Sequence, residues 1–380
     1  MKKLLVLLLA VVTLISCNFS ENKGRQHSLI RVGVFDKNGD SPDCITDAVE
    51  ALRIDRDIDA RIVSAADIVG GKADDIDVFL FPGGSGRSET GSLGLQGQQK
   101  IIDLVRNQGK GVVGICAGAY ILTKTDGYPS LGLSGAKAID IEHDHRGHGL
   151  VKFSLTSAGK KIFPELADRS ICYSLYYEGP VLTPADSASE KYEELATMQS
   201  DVHTVAGTPA NMTNNRPFIT FTKAGKGKVV SVVGHPEATQ GMRWMIPRLV
   251  RLVSGRELVS YKPNVVRPNV HSKEILFVDD LLAKQDVLFA KLTGTTSDKE
   301  LALQQIVDIR AWSAKKYIPA MVRDTAFSVR LLAAKLTVEL ERTDAIPDLE
   351  AAIVVENNLK QKKLLQDQLS LLRKMVGSNR

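Results

Sequence analysis

The sequence predicts an α/β fold: a mostly parallel sheet with helices on both faces, followed by a helical region. Three observations predict it. Short runs rich in β-branched residues alternate with helical patterns between residues 30 and 115, as in parallel βαβ units. One run passes straight into a glycine–cysteine–glycine turn, of the kind that sits at the carboxyl edge of an open α/β sheet. From residue 272 onward glycine nearly disappears and apolar residues recur at helical spacing. The 380 residues are 43% hydrophobic, 24% charged and 6% aromatic, which excludes wholesale disorder and fibrous repeats and leaves room for two or three domains. The net charge of +5 is small and spread along the chain, so nucleic acid is not an expected partner.

Residues 1–16 are read as a signal peptide. Lys2 and Lys3 precede an apolar run from Leu4 that continues to Ile15, too short for a comfortable membrane span. Leu14-Ile15-Ser16-Cys17 resembles the bacterial lipobox. That resemblance implies cleavage before Cys17, its acylation (with palmitate as the expected label) and a cell-envelope location, lipid-anchored to a bacterial membrane. The alternative is an ordinary signal with an incidental cysteine. Residues 17–28 are polar and read as a lipidated tether. Export permits a disulfide, but Cys44 and Cys172 read better as buried small residues than as a bridge.

Residues 29–255 are read as one domain. Ile30–Phe35 is a strand by its β-branched content. Asn38 to Pro42 makes a turn in which Ser41 can cap a helix carrying Ala48 and Leu52. Ala60–Val63 and Asp77–Phe81 are further strands, the latter ending in Pro82-Gly83-Gly84-Ser85-Gly86. A helix is expected from Gln96 to Asn107, then a strand at Gly111–Ile115 ending at Cys116, with a helix starting at Ala117. Strand-like runs follow at Ala138–Ile141, Val151–Leu155, Tyr192–Thr197, Phe218–Thr222 and Val229–Val233, and a helix near Met242–Leu252. Residues 256–271 read as a linker and 272–380 as helical. Val278, Leu281, Leu282, Leu288 and Leu292 form one stripe, and Leu365, Leu369, Leu372 and Val376 another. Core packing explains such stripes, and a protein partner for the tail is the alternative. No internal repeat is found.

The chemistry concentrates in two motifs. In Gly114-Ile115-Cys116-Ala117-Gly118 an apolar strand meets a G-x-C-x-G turn, the form of a nucleophile elbow with cysteine in the serine position. The helix dipole starting at Ala117 favours a thiolate, and the Ala117 N–H can donate to an oxyanion. The bland reading is a buried cysteine between packing glycines. The second motif is Gly234-His235-Pro236-Glu237, at the end of another apolar strand. In an extended segment His235 and Glu237 share a side, so the carboxylate can hold the imidazole tautomer while the other ring nitrogen faces a thiol.

Together these motifs resemble the class I glutamine amidotransferases, with a Cys116–His235–Glu237 triad over about residues 29–255. The resemblance implies a flavodoxin-like sheet and an oxyanion site built from Gly83, Gly84 and Ala117. Within that superfamily the long Pro-Gly-Gly-Ser-Gly loop and Tyr176-Tyr177-Glu178-Gly179-Pro180 are most similar to the biotin–protein ligase N-terminal domain family. No glycine–arginine biotin signature follows, so biotin ligation is not implied. Tyr120 stands where glutaminases of this class carry a glutamine, so a substrate other than glutamine is expected. Ala117, not histidine, follows the cysteine, unlike the intracellular-peptidase branch. Tyr120, Tyr176 and Tyr177 are candidates for the substrate pocket. His143, His145 and His148 read as a polar loop near the cleft or, with a spacing that fits no established zinc pattern, as metal ligands; no metal or other cofactor is assigned. Three functions stay open: an envelope lipoprotein that hydrolyses or transfers an amide or ester acyl group, its substrate a small molecule or peptide; a non-catalytic binding module on the same fold; or a metal-dependent site built on the His143 cluster.

Overall fold

The computed structural model describes residues 29–378 apart from 40, 187–189, 206, 240, 262–263, 266–273, 276–280, 309–317 and 340–341. The signal peptide, Cys17 and the tether lie outside the described residues, as do Val278 and much of the linker. No helix among the described residues is long and apolar enough to cross a membrane.

The chain alternates strand and helix: β1 (Ile30–Phe35), α1 (Pro42–Leu52), β2 (Ile58–Val63), α2 (Ala65–Val69), β3 (Val78–Phe81), α3 (Gly86–Arg106), β4 (Gly111–Ile115) and α4 (Ala117–Leu122). Then come β5 (Ala136–Ala138), β6 (His148–Leu155), α5 (Ser157–Ile162), β7 (Cys172–Tyr177), β8 (Leu182–Pro184), β9 (Tyr192–Met198), β10 (Pro217–Ala224), β11 (Gly227–Val232) and α6 (Met245–Ser254). Nine strands form one sheet in the order β2-β1-β3-β4-β11-β10-β9-β6-β7. The first five are parallel and the rest pair antiparallel, so only β10 and β6 run against the others.

Side-chain alternation divides the strands between two cores. Val32, Val34, Val78, Leu80, Val113 and Ile115 face one, which α1 and α6 close. Phe35, Phe79, Phe81 and Val112 face the other, which α2, α3 and α4 close. The sheet is therefore covered on both faces. A further apolar cluster draws only on the helical region: α7 (Leu281–Lys291), α8 (Thr296–Asp308), α9 (Ile318–Met321), α10 (Phe327–Glu339), α11 (Ile346–Val355) and α12 (Leu359–Ser378). Leu288 and Leu292 from one predicted stripe, and Leu365, Leu369 and Leu372 from the other, are buried in it.

Several elements differ from expectation. α3 begins at Gly86, well before Gln96, because Ser85 accepts the Ser88 N–H at 3.3 Å and Gly94 (φ 60°) absorbs a kink. Glycine-rich composition hid that first half. Ser41 precedes α1 but sits left-handed (φ 50°) with no capping bond, and Pro42 starts the helix instead. The run at Ala138–Ile141 yields only β5, which pairs with β8 in a small separate sheet. β7 and β8 were not expected at all.

Candidate active site

Cys116 lies between β4 and α4 with φ 51° and ψ −105°, a strained conformation for a residue with a side chain, of the order of 1–3 kcal/mol. A Cβ at Gly118 would collide with the Phe81 carbonyl, and one at Gly114 with the Gly118 carbonyl, so the tight turn requires both glycines. Two backbone bonds secure it: Cys116 N–H to the Val232 carbonyl at 2.8 Å, and Gly118 N–H to the Pro82 carbonyl at 3.2 Å. The thiol opens into a cavity of about 690 Å³, and its Sγ donates to the Tyr177 carbonyl at 3.2 Å.

β11 lies beside β4 in parallel, Val232 opposite Ile115, so the residues after both strands emerge together. His235 emerges there in hydrogen-bonding contact with Cys116. Its Nδ1 pairs with Glu237 Oε1 at 2.7 Å. The predicted pair forms, but not on an extended segment: His235 has ψ 69°, and Pro236–Ala238 is a single 3-10 turn that folds Glu237 back under the ring. The turn is fastened to β7, since His235 N–H donates to the Leu175 carbonyl at 2.7 Å. Thr239 Oγ1 donates to the His235 carbonyl at 2.6 Å and accepts the Leu175 N–H at 2.8 Å. Thus the far edge of the sheet returns to the site. Gly83 leaves room for the imidazole, because a Cβ there would meet His235 Cε1 at 2.5 Å.

Burial works against charge on His235, but the Cys116 sulfur and the Glu237 carboxylate outweigh it and hold the imidazole pKa well above its ordinary value. A cysteine sulfur beside an imidazole that a carboxylate orients is the arrangement a cysteine nucleophile requires. Ala117, first in α4, has no intrahelical acceptor for its N–H, and with Gly84 it lines the cavity beside Cys116. The Gly83 carbonyl is engaged by Lys37 Nζ.

All three tyrosines line the cavity. Tyr177 is half exposed and stacks on His148 at 4.8 Å. Tyr120 and Tyr176 are buried and belong to a network that sequence reasoning missed. Arg146 and Asp140, both fully buried, pair at 2.6 Å. Tyr120 donates to Asp140, Arg146 Nε donates to the Tyr176 hydroxyl at 2.8 Å, and Tyr176 donates to the Gly179 carbonyl at 2.7 Å. Burial pushes both phenols up, so they stay neutral donors. Nothing in the sequence separates Asp140 and Arg146 from surface charges; their pairing is created by the fold.

The histidine segment sits on the cavity rim, where His145 pairs with Glu178 at 3.1 Å. No group of three or more His, Cys, Asp or Glu side chains is placed to hold a metal among the described residues. No disulfide joins Cys44, Cys116 or Cys172 among the described residues. Cys172 is a buried strand residue as expected, whereas Cys44 is only partly buried and lines the same cavity as Cys116. Tyr128 and Arg87, whose guanidinium lies 5.2 Å from the Tyr128 ring, also line this cavity.

No family model matches the chain, and no curated protein matches it. Among solved structures it is similar to a β-galactosidase from Bacillus circulans sp. alkalophilus, at 14% identity and a TM-score of 0.38, over 62% of this chain but only 33% of that one. It is also similar to the glutaminase domain of the Trypanosoma brucei CTP synthase with bound acivicin, at 12% identity over 65% of this chain and 100% of that one, TM-score 0.41. A ThuA-like protein from Bacteroides uniformis aligns at 12% identity over 64% and 96%, TM-score 0.38.

Proposed function

We propose that this chain is a cysteine-dependent hydrolase or acyl transferase of the class I glutamine amidotransferase-like kind, closest to the biotin–protein ligase N-terminal domain branch, and carried on a lipid-anchored envelope protein. One observation carries the chemistry: a strained Cys116 in contact with His235, whose Nδ1 is locked to a buried Glu237 at 2.7 Å. Cys116 Sγ, its proton passed to His235, attacks the carbonyl carbon of an amide or ester. The carbonyl electrons move to oxygen, where the Ala117 and Gly84 N–H groups receive them. As the C–N or C–O bond breaks, His235 gives its proton to the leaving amine or alcohol and a thioester remains. Water or an acceptor nucleophile then attacks the thioester, losing its proton to His235, and the thiol is released.

The cavity, about 690 Å³, is walled by Tyr120, Tyr128, Tyr176 and Tyr177 and fits a ligand larger than free glutamine. With a tyrosine at position 120, the substrate is an amide- or ester-bearing small molecule or peptide, and an envelope location favours peptidoglycan-derived amides. Acylation at Cys17 provides the membrane attachment.

A thiol-directed activity probe followed by peptide mass spectrometry tests the site. Selective labelling at Cys116, lost in His235→Ala, is expected. Labelling of the partly buried Cys44 at the same rate as Cys116 would instead favour a binding module. Ammonia release from free glutamine should be absent, and saturable release that vanishes in Cys116→Ala would restore an ordinary glutaminase. Radiolabelled palmitate should enter the wild type and not Cys17→Ala; equal incorporation removes the anchor.

A further inference from the structure

We propose that Lys37 is a positioning residue for the oxyanion site: it holds the Gly83–Gly84 peptide with its carbonyl turned away from Cys116 and its N–H turned toward it. The inference rests on the acyl-transfer reading above and gives that site its missing determinant.

Lys37 follows β1 in a left-handed conformation (φ 51°) and is 1% exposed. An amine is costly to bury without a strong acceptor. Its Nζ donates to the Gly83 carbonyl. A Cβ at Gly84 would collide with that same Nζ, so the amine lies directly against the peptide. No peptide bond among the described residues is cis, and in a trans peptide the carbonyl of Gly83 and the N–H of Gly84 point in opposite directions.

The sheet order decides where each points. β1 and β4 flank β3 on opposite sides. Lys37 comes off β1, the glycine loop off β3 and Cys116 off β4. A carbonyl held on the β1 side leaves its paired N–H on the β4 side. The loop is seated against the elbow by the Gly118–Pro82 bond, and Gly84, Ala117 and Cys116 line the cavity, whose wall Lys37 does not join. Two adjacent glycines make this peptide easy to flip. A flipped peptide would point a carbonyl oxygen at the developing oxyanion and withdraw one donor. The charge-assisted bond from Lys37 opposes that flip.

Two reactions of the same thiol separate positioning from a general structural role. Alkylation by iodoacetamide displaces iodide at a saturated carbon and builds no oxyanion. Acylation by p-nitrophenyl acetate forms the thioester bond and releases p-nitrophenolate through a tetrahedral oxyanion. Both are followed at the Cys116 peptide by mass spectrometry in the full chain. In Lys37→Met, acylation should fall by about a hundredfold, the loss typical of one oxyanion donor, while alkylation stays close to the wild-type rate. Lys37→Arg retains a donor and should recover part of the acylation. Equal loss of both reactions in both variants makes Lys37 structural, and unchanged acylation in Lys37→Met removes its role; either overturns the proposal. Wild-type Cys116 that alkylates but accepts no acetyl group overturns the acyl-transfer reading, and the Lys37 role with it.

Discussion

At the scale of single residues, the decisive balance is on His235. Burial alone would drive its proton off, and the adjacent sulfur and carboxylate keep it on. Removing either should therefore lower its pKa. In Cys116→Ala the imidazole should lose its proton at a lower pH than in the wild type, as read by NMR titration of the His235 ring; an unmoved curve would mean that the sulfur does not act on it. The sign for stability follows: a raised pKa contributes stability at low pH that is lost as pH rises from the ordinary histidine range through the folded value, so Cys116→Ala should flatten the alkaline side of the stability profile. Glu237→Gln should keep the ring in place yet cost up to about four orders of magnitude in turnover, because the tautomer is no longer held. These three residues were legible because their chemistry sits in two short motifs. The same-face argument reached the right partners through the wrong backbone, an extended segment where a 3-10 turn stands. Lys37, Asp140 and Arg146 were not legible, since a charged residue announces its burial only through neighbours far away in the chain.

At the scale of elements, the end of α6 is fixed to the loop before β2. Arg251 on α6 reaches Asp55 at 2.5 and 2.9 Å, and the Tyr261 hydroxyl donates to the same carboxylate at 2.9 Å. Burial raises the Asp55 pKa, but the bonds from Arg251, the Asp57 backbone and Tyr261 outweigh it and hold the carboxyl below its ordinary value. A depressed carboxylate stabilises above its unfolded pKa and loses that contribution as pH falls through the folded one. Asp55→Asn should cost about 2 kcal/mol at neutral pH by denaturant unfolding, since it removes two charge-assisted bonds from Arg251 and leaves Asp57, at 2.6 Å, as the carboxylate still paired with it. The gap to the wild type should close below about pH 4; a gap independent of pH would assign the loss to packing. Strands with plain β-branched runs, such as β1, β4 and β11, were readable. β7 was not: its sequence, CYSLYY, lacks β-branched residues, and its place is set by pairing to β6 and by the return to His235.

At the scale of the whole molecule, the site draws on residues from Lys37 to Thr239, and its geometry depends on β7 returning from the far edge of the sheet to His235. Cys116 reactivity therefore reports on the entire sheet. The helical cluster shares no residue with either sheet core, each of its buried members lying between Leu288 and Leu372. The sheet, with its two cores, and the helical cluster should unfold in two calorimetric transitions. Leu249 of α6 and Leu303 of α8 are both fully buried, one in each unit. Truncating either to alanine removes about 2–5 kcal/mol from its own core. At roughly 2–4 °C per kcal/mol for a unit of 150–250 residues, and more for a smaller one, each shift is readily resolved. Leu249→Ala should lower one transition together with the temperature at which Cys116 labelling is lost. Leu303→Ala should lower the other and leave labelling at 25 °C unchanged. A single transition displaced by both substitutions would show that sheet and helices unfold as one unit, and that the helical region supports the site.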